Sequence, residues 1–294
     1  MTARVEVTVY NDPGCPWAYS AVPALRVINW RYGDQISWRL ALIGLTEQAE
    51  QYLERGYTPV WMSQAYIDFR RWGMPFSTTP RERVVATSRA CRAIAAARRV
   101  APGTEWSAFR ALQLAWFTTQ LLLDEDEAIG AALRTADGLD VDAIVALLDD
   151  EAVEADYQRD WAESRTAAGS PAELQGKTAQ TDGHVRYTAP SLIASRNGTQ
   201  VIAGGFQPVE AYDLAIANID RAIERRDPPS SPHPLLEHFR EGLTTQEVAQ
   251  LLTQGNDAPD RDAAEHALLD LVAAGSASRV DLGDDALWTL NAGA

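Results

Sequence analysis

The sequence predicts an α/β domain that is interrupted by a large helical insertion and followed by a small C-terminal module. Three observations predict this arrangement. A strand, a helix and a second strand occupy residues 4–43, and helical periodicity then continues, with almost no strand candidates, from about 46 to 183. A proline-rich stretch at 227–234 separates the rest of the chain from a last segment of helices and a hairpin.

The first unit is a β-α-β pattern. Residues 4–10 alternate apolar and polar side chains, which indicates a strand. Pro16 suits the first turn of a helix that continues to about residue 32, because proline has no N–H to leave unpaired there. A second strand follows at 36–43. Two strands joined by a helix favour a right-handed crossover and a parallel pair.

The middle of the chain is too long to be a loop of this unit and needs a core of its own. The predicted helical segments are 58–72, 80–100, 104–123, 125–135, 140–149 and 151–167. The aromatic residues expected to form that core are Trp61, Phe69, Trp72, Trp106, Phe109, Trp116 and Phe117.

Strand character returns at 190–195 and 199–203, on either side of Asn197-Gly198. Asn-Gly between two short apolar runs is a strong hairpin signal. A helix over 208–226 should complete the α/β domain. We therefore expect this domain to comprise residues 1–45 and 184–226, with the insertion at 46–183.

Beyond the linker at 227–234, residues 235–294 read as a winged-helix-like module. Thr244 and Glu247 form a capping-box pattern at the start of one helix. The other expected elements are helices at 235–241 and 261–274 and strands at 277–282 and 286–290, with Trp288 and Leu290 in the small core.

Composition restricts the partners. The 294-residue chain has a net charge of −15, which disfavours nucleic acid and anionic membranes. The C-terminal module has three basic and eleven acidic residues between positions 231 and 294, so we expect packing or homodimer formation there rather than DNA binding. The sequence shows no secretory signal and no apolar stretch near 18 residues, and its two cysteines make no disulfide framework. These features predict a cytoplasmic protein.

Three short motifs carry a family resemblance. They are Asp12-Pro-Gly-Cys-Pro-Trp-Ala-Tyr19, Thr188-Ala-Pro-Ser191 and Gly204-Gly-Phe-Gln-Pro208. Over residues 4–226 the chain resembles the DsbA-like family of the thioredoxin fold and its cytoplasmic relatives, the 2-hydroxychromene-2-carboxylate isomerases and kappa-class glutathione transferases. The resemblance implies a cis peptide bond before Pro190 and a loop there that faces Cys15.

Cys15 is the candidate catalytic residue. It precedes the first helical turn, where unpaired N–H groups and the helix dipole favour a thiolate. We therefore expect its pKa to lie below the ordinary value of about 8.5, which would make Cys15 a nucleophile at neutral pH.

Ala18 stands where a dithiol oxidoreductase has its second cysteine. The resolving thiol must then come from elsewhere, most simply from a small thiol such as glutathione or mycothiol, with no tightly bound cofactor. Three uses stay open: monothiol exchange with a small thiol or disulfide substrate, isomerase or transferase chemistry on a bound thiol, and a site that has lost its redox role. The competing class is a non-catalytic peptide-binding or interaction protein.

The remaining candidates have a second reading each. Asp12 is a turn former or an acid-base group, His184 is a surface residue or a titrating group, and Cys91 is a core residue or a resolving thiol. The histidines and cysteines have no metal-ligand spacing. The residues expected to contact substrate are Pro16, Trp17, Ala18, Tyr19, Ala189 and Pro190.

Overall fold

A computed structural model describes residues 4–255 and 257–291. The strands are β1 (Val5–Asn11), β2 (Ile36–Leu42), β3 (Thr178–Ala179), β4 (Arg186–Tyr187), β5 (Ser191–Arg196), β6 (Thr199–Ala203), β7 (Leu243–Thr244), β8 (Ala277–Leu282) and β9 (Asp285–Leu290). The α-helices are α1 (Pro16–Ser20), α2 (Val22–Tyr32), α3 (Glu50–Leu53), α4 (Pro59–Phe69), α5 (Ser88–Val100), α6 (Glu105–Thr118), α7 (Asp126–Leu133), α8 (Val141–Ala146), α9 (Glu151–Ser164), α10 (Pro171–Leu174), α11 (Val209–Ile219), α12 (His233–His238), α13 (Thr245–Leu252) and α14 (Arg261–Ala273).

The central sheet has the strand order β2-β1-β5-β6. β1 pairs with β2 in parallel, which confirms the predicted β-α-β unit, and β5 lies antiparallel to β1 on its other side. β5 and β6 form the predicted hairpin. At its turn Asn197 and Gly198 both have positive φ angles, 52° and 80°, the conformation that makes Asn-Gly favourable there.

The helix predicted for residues 16–32 is divided at Ala21 into α1 and α2. Pro23 explains the division, because it has no N–H to donate to the carbonyl of Tyr19. The short α1 is thereby free to project Cys15 and Trp17 toward the end of the sheet, while α2 packs along the sheet.

Two predicted helices are shorter than expected. The 80–100 segment becomes helical only at Ser88, because Thr46 and Thr87 exchange backbone-to-hydroxyl hydrogen bonds of 3.3 Å that tie the chain before the helix to the loop after β2. The helix predicted for 208–226 ends at Ile219. The chain beyond it is held by Gln35, whose amide exchanges hydrogen bonds of 2.8 and 3.0 Å with the backbone of Glu224.

The helical insertion lies between β2 and β5, and its helices share an apolar cluster, as the sequence predicts. Its apolar cluster continues into the sheet domain through Tyr19, Leu40 and Leu42. Phe109, Trp116 and Phe117 are buried in this cluster, whereas Trp61 is 45% exposed. Trp61 stacks instead on Tyr57 at the surface.

The C-terminal segment has a second sheet, ordered β7-β9-β8, packed with α12, α13 and α14. The predicted capping box of Thr244 and Glu247 is confirmed, Trp288 is fully buried and Leu290 is half-buried. Glu247 also accepts hydrogen bonds from Arg110 at 2.8 Å and Arg26 at 3.0 Å. This buried carboxylate therefore ties the C-terminal segment to both α6 and α2. In the described part of the chain, none of the helices combines the length and apolar character that crossing a membrane requires.

Candidate active site around Cys15

Cys15 lies at the N-cap of α1, directly after the turn that leaves β1. Its N–H donates to the carbonyl of Asp12 at 3.2 Å, and the N–H of Gly14 donates to Asp12 Oδ1 at 2.8 Å. Pro16 occupies the first helical position. The turn and the proline together hold the thiol at the start of the helix.

The Cys15 sulfur faces the loop before β5. Sγ donates to the carbonyl oxygen of Ala189 at 3.3 Å, and the Ala189–Pro190 peptide bond is cis. The backbone N–H groups of Trp17 and Ala18 face the sulfur and lower its pKa, although neither forms a cap hydrogen bond with the Cys15 side chain. The thiol therefore lies between amide donors on its own helix and a carbonyl acceptor on the opposite loop.

The expected low pKa of Cys15 was wrong for the unliganded site. The residue is only 6% exposed, and this burial raises the pKa of its thiol to about 12. The N–H groups of Ala18 and Trp17 act in the predicted direction, but they do not offset the loss of solvation, and Asp12 raises the pKa further. At neutral pH the resting sulfur is therefore a neutral thiol.

Asp12 is fully buried, and its carboxylate accepts several hydrogen bonds. Besides the Gly14 N–H, Oδ2 accepts from the N–H of Leu45 and the hydroxyl of Thr87, each at 2.9 Å. Burial raises the pKa of the carboxyl, and these donors act against that rise. Asp12 thus anchors the turn that positions Cys15, and its acceptor capacity is engaged within the fold.

Cys91 lies on the interior side of the same carboxylate. It is fully buried in α5, and its Sγ is 3.7 Å from Asp12 Oδ2. Cys15 and Cys91 are both free thiols. Cys91 belongs to the apolar cluster of the insertion, whereas Cys15 belongs to a separate cluster at the end of the sheet. The structure therefore places Cys91 as a core residue beneath the turn.

Two of the residues predicted to contact substrate do not reach the surface. Ala18 and Tyr19 have no exposed area, and the Tyr19 hydroxyl donates to the carbonyl of Pro75 at 3.0 Å inside the insertion core. The helix α1 turns both side chains inward, and substrate contact by these two residues stays a prediction. Pro16 is half-buried, and Trp17 is 40% exposed beside the thiol.

Trp17 belongs to a group of four aromatic residues that we call the aromatic rim: Trp17, Phe69, Trp72 and Phe206. The ring of Trp17 is 4.8 Å from Phe69, 5.4 Å from Phe206 and 6.3 Å from Trp72. The rings of Trp72 and Phe206 are 4.7 Å apart. The rim therefore presents a partly exposed apolar surface two residues from Cys15 in sequence.

Arg186 is a charged residue of the site that sequence reasoning missed. It is 5% exposed, and its guanidinium donates to the carbonyl of Tyr187 at 3.1 Å and to the hydroxyl of Thr181 at 3.4 Å. Its Nε is buried with no partner among the described residues. The charge lowers the pKa values of both Cys15 and Asp12. The sequence signal that could have identified Arg186 as a site residue is its position four residues before Pro190.

His184 does not join the site. It is exposed on the loop before β4, and its ring lies 6.2 Å from Trp161. No group of three or more histidine, cysteine, aspartate or glutamate side chains in the described ranges could hold a metal ion.

The model of the DSBA-like thioredoxin domain matches residues 6–188, more than half of the chain. The chain belongs to the DsbA-like family. The matched range includes Cys15, the insertion and Arg186, and it stops just before Pro190. No curated protein matches the chain by sequence.

Two solved structures show how far the DsbA-like fold extends. A probable DsbA oxidoreductase from Streptomyces coelicolor is 17% identical with a TM-score of 0.54, and the alignment covers 77% of this chain and 93% of that one. The cytosolic disulfide reductase DsbM from Pseudomonas aeruginosa is 18% identical with a TM-score of 0.50, covering 74% of this chain and 100% of that one. At these identities the similarity shows a shared fold, and part of this chain extends beyond it.

Proposed function

We propose that this DsbA-like protein is a cytoplasmic thiol-dependent oxidoreductase that uses Cys15 as its single nucleophile and a small external thiol as resolving partner. The observation that supports this most directly is the position of Cys15, opposite the Ala189–Pro190 loop and with the Ala18 methyl group in place of a second thiol. We also propose the domain division given by the sequence, with a winged-helix-like module after the linker.

The reaction would be thiol-disulfide exchange. The Cys15 thiol first loses its proton to solvent, and the thiolate attacks one sulfur of a disulfide. A mixed disulfide forms, and the other sulfur leaves as a thiolate that takes up a proton. A second thiolate, from glutathione or mycothiol, then attacks the substrate sulfur of the mixed disulfide, and Cys15 leaves. The small thiol supplies the electrons and ends in a disulfide with that substrate sulfur, while Cys15 takes up a proton and the protein returns to its starting state.

The raised pKa of Cys15 favours the reductive direction. A site that strongly stabilises the thiolate makes a protein oxidising, because its reduced form is then favoured. Here burial disfavours the thiolate, so formation of the mixed disulfide at Cys15 is favoured over its breakdown to the Cys15 thiolate. The N–H groups of Trp17 and Ala18 and the charge of Arg186 would then assist departure of Cys15.

One observation favours a second candidate, a thiol-dependent isomerase or transferase. The resting Cys15 is a neutral thiol that already donates a hydrogen bond to Ala189. In this alternative it would remain protonated and donate instead to the thiolate of a bound thiol cofactor. A hydroxyl could perform that task, whereas disulfide exchange requires the sulfur itself.

Intact-mass measurement of the reduced protein, incubated with glutathione disulfide or mycothiol disulfide, tests the proposal. We expect one adduct on the wild type and on Cys91→Ser, none on Cys15→Ser, and reversal by the matching thiol. If Cys15→Ser still catalyses a reaction that depends on the small thiol, the isomerase or transferase would be supported. No adduct, together with apolar peptide binding that is equal in wild type and Cys15→Ser, would support a non-catalytic binder.

A further inference from the structure

The C-terminal module contacts the loop that carries part of the aromatic rim. Phe69 ends α4, and a turn of 3-10 helix at Arg70–Trp72 follows it. The chain then continues through Gly73, whose φ is +83°, to Phe76. This rim loop, residues 69–76, supplies two of the four rim aromatics.

The turn between β8 and β9 holds one side of the rim loop. Asp284 accepts from the N–H of Phe76 at 2.8 Å, and its other carboxylate oxygen pairs with Arg70 Nε at 2.6 Å. The neighbouring Gly283 fits closely, since a Cβ there would come within 3.2 Å of the Phe76 backbone. Asp284 thus holds the rim loop at Arg70 and at Phe76, one on each side of Trp72.

Two other elements of the module hold the middle of the loop. Arg261 at the start of α14 donates to the carbonyl of Gly73 at 2.9 Å and pairs with Asp285 at 2.9 Å. The side chain of Gln246 lies against Gly73, where an added Cβ would come within 2.1 Å of its amide oxygen. The C-terminal module therefore holds the rim loop at Arg70, Gly73 and Phe76, while Tyr19 holds it from the opposite side through the carbonyl of Pro75.

We propose that the C-terminal module sets the specificity of the Cys15 site by fixing the aromatic rim as a binding wall for substrates that carry a flat aromatic group. This inference rests on the proposed thiol exchange at Cys15 and names its substrate class. Offset and edge-on aromatic contacts require defined ring positions. Asp284 is then a positioning residue, because it acts on the substrate only through the loop and Trp72.

The test compares two neutral disulfides, aromatic dithiodipyridine and aliphatic hydroxyethyl disulfide. For Asp284→Ala we expect kcat/KM for dithiodipyridine to fall about tenfold, through a higher KM. This is the free energy of one or two aromatic contacts. The kcat/KM for hydroxyethyl disulfide should not change. Asp281→Ala is the matched control, since Asp281 lies on the same hairpin with its side chain 88% exposed. Asp284→Asn keeps an acceptor for the Phe76 N–H, so it should fold and show an intermediate loss.

A binding measurement separates failure of this inference from failure of the proposed chemistry. In a Cys15→Ser background, dithiodipyridine binding is followed by quenching of tryptophan fluorescence, which needs no turnover. Binding that Asp284→Ala weakens and Asp281→Ala leaves unchanged would support the inference even if exchange is absent. Equal losses for both disulfides, or binding that Asp284→Ala does not change, would overturn it.

Discussion

Raising the pH of the reduced protein from 8 to 10 should destabilise the wild type more than Cys15→Ser. Burial raises the pKa of the folded thiol to about 12, whereas the unfolded chain should ionise near the ordinary value of about 8.5. The unfolded state therefore loses its proton first. The stability from the buried neutral thiol is complete below pH 8.5 and is lost as the pH rises toward 12.

The magnitude follows from these two values. An unfolded-state pKa of about 8.5 predicts a fall of about 2 kcal/mol in the free energy of unfolding between pH 8 and 10. Cys15→Ser removes this titration and keeps a hydroxyl that can donate to Ala189. Cys91 and the buried tyrosines are present in both proteins, so their titrations cancel in the difference.

The assay is urea unfolding with a non-thiol reductant at half-unit pH steps. Parallel stability curves for the two proteins would refute the reasoning, because they would show that Cys15 ionises equally in the folded and unfolded states. Iodoacetamide provides a kinetic check at pH 7.5. Alkylation of folded wild type should be at least about 100-fold slower than that of an ordinary thiol, because so little thiolate is present.

Three further predictions concern the surroundings of the site. Glu247→Gln should cost about 3 kcal/mol in urea unfolding, since the mostly buried Arg110 loses its carboxylate partner, whereas Glu241→Gln at the surface should cost under about 1 kcal/mol. Burial would raise the pKa of Glu247, but its arginine partners lower it to about 2, so between pH 4.5 and 2 wild type should lose more stability than Glu247→Gln, which lacks this titration. Arg186→Gln should slow alkylation of Cys15 severalfold by raising its pKa further, and Arg186→Lys should not. Gly14→Ala should cost about 1–3 kcal/mol in thermal or urea unfolding, because its Cβ would lie 2.6 Å from a methyl carbon of the insertion.

The predictions that proved correct depend on local chemistry. Asn197-Gly198 can form its turn because both residues tolerate positive φ, and Pro16 suits a first helical turn. The Thr244–Glu247 box uses groups three residues apart. These signals lie within a few residues of the structure that they specify, so a single sequence contains them.

The predictions that failed depend on what packs against a residue from elsewhere in the chain. Tyr19 and Trp61 are both aromatic residues in helices, yet one is fully buried and the other is 45% exposed. Helical periodicity over 80–87 did not reveal that Thr46 would hold Thr87 in a segment without helix. The position of Arg186 shortly before Pro190 was a weak sequence signal, and it took the fold to show that its charge acts on Cys15.

The pKa of Cys15 shows why local chemistry was insufficient at the site itself. The helix N-terminus contributes what the sequence predicts, but that contribution is limited to about 1–2 kcal/mol, whereas burial of an ion costs several. Desolvation therefore determines the resting state of the thiol. Because a substrate or solvent must reach the sulfur before it can ionise, reactivity depends on what enters beside Trp17. The proposed role of the aromatic rim follows from this: selectivity would depend on the rim and its supporting loop, so that a substitution far from the cysteine would change it.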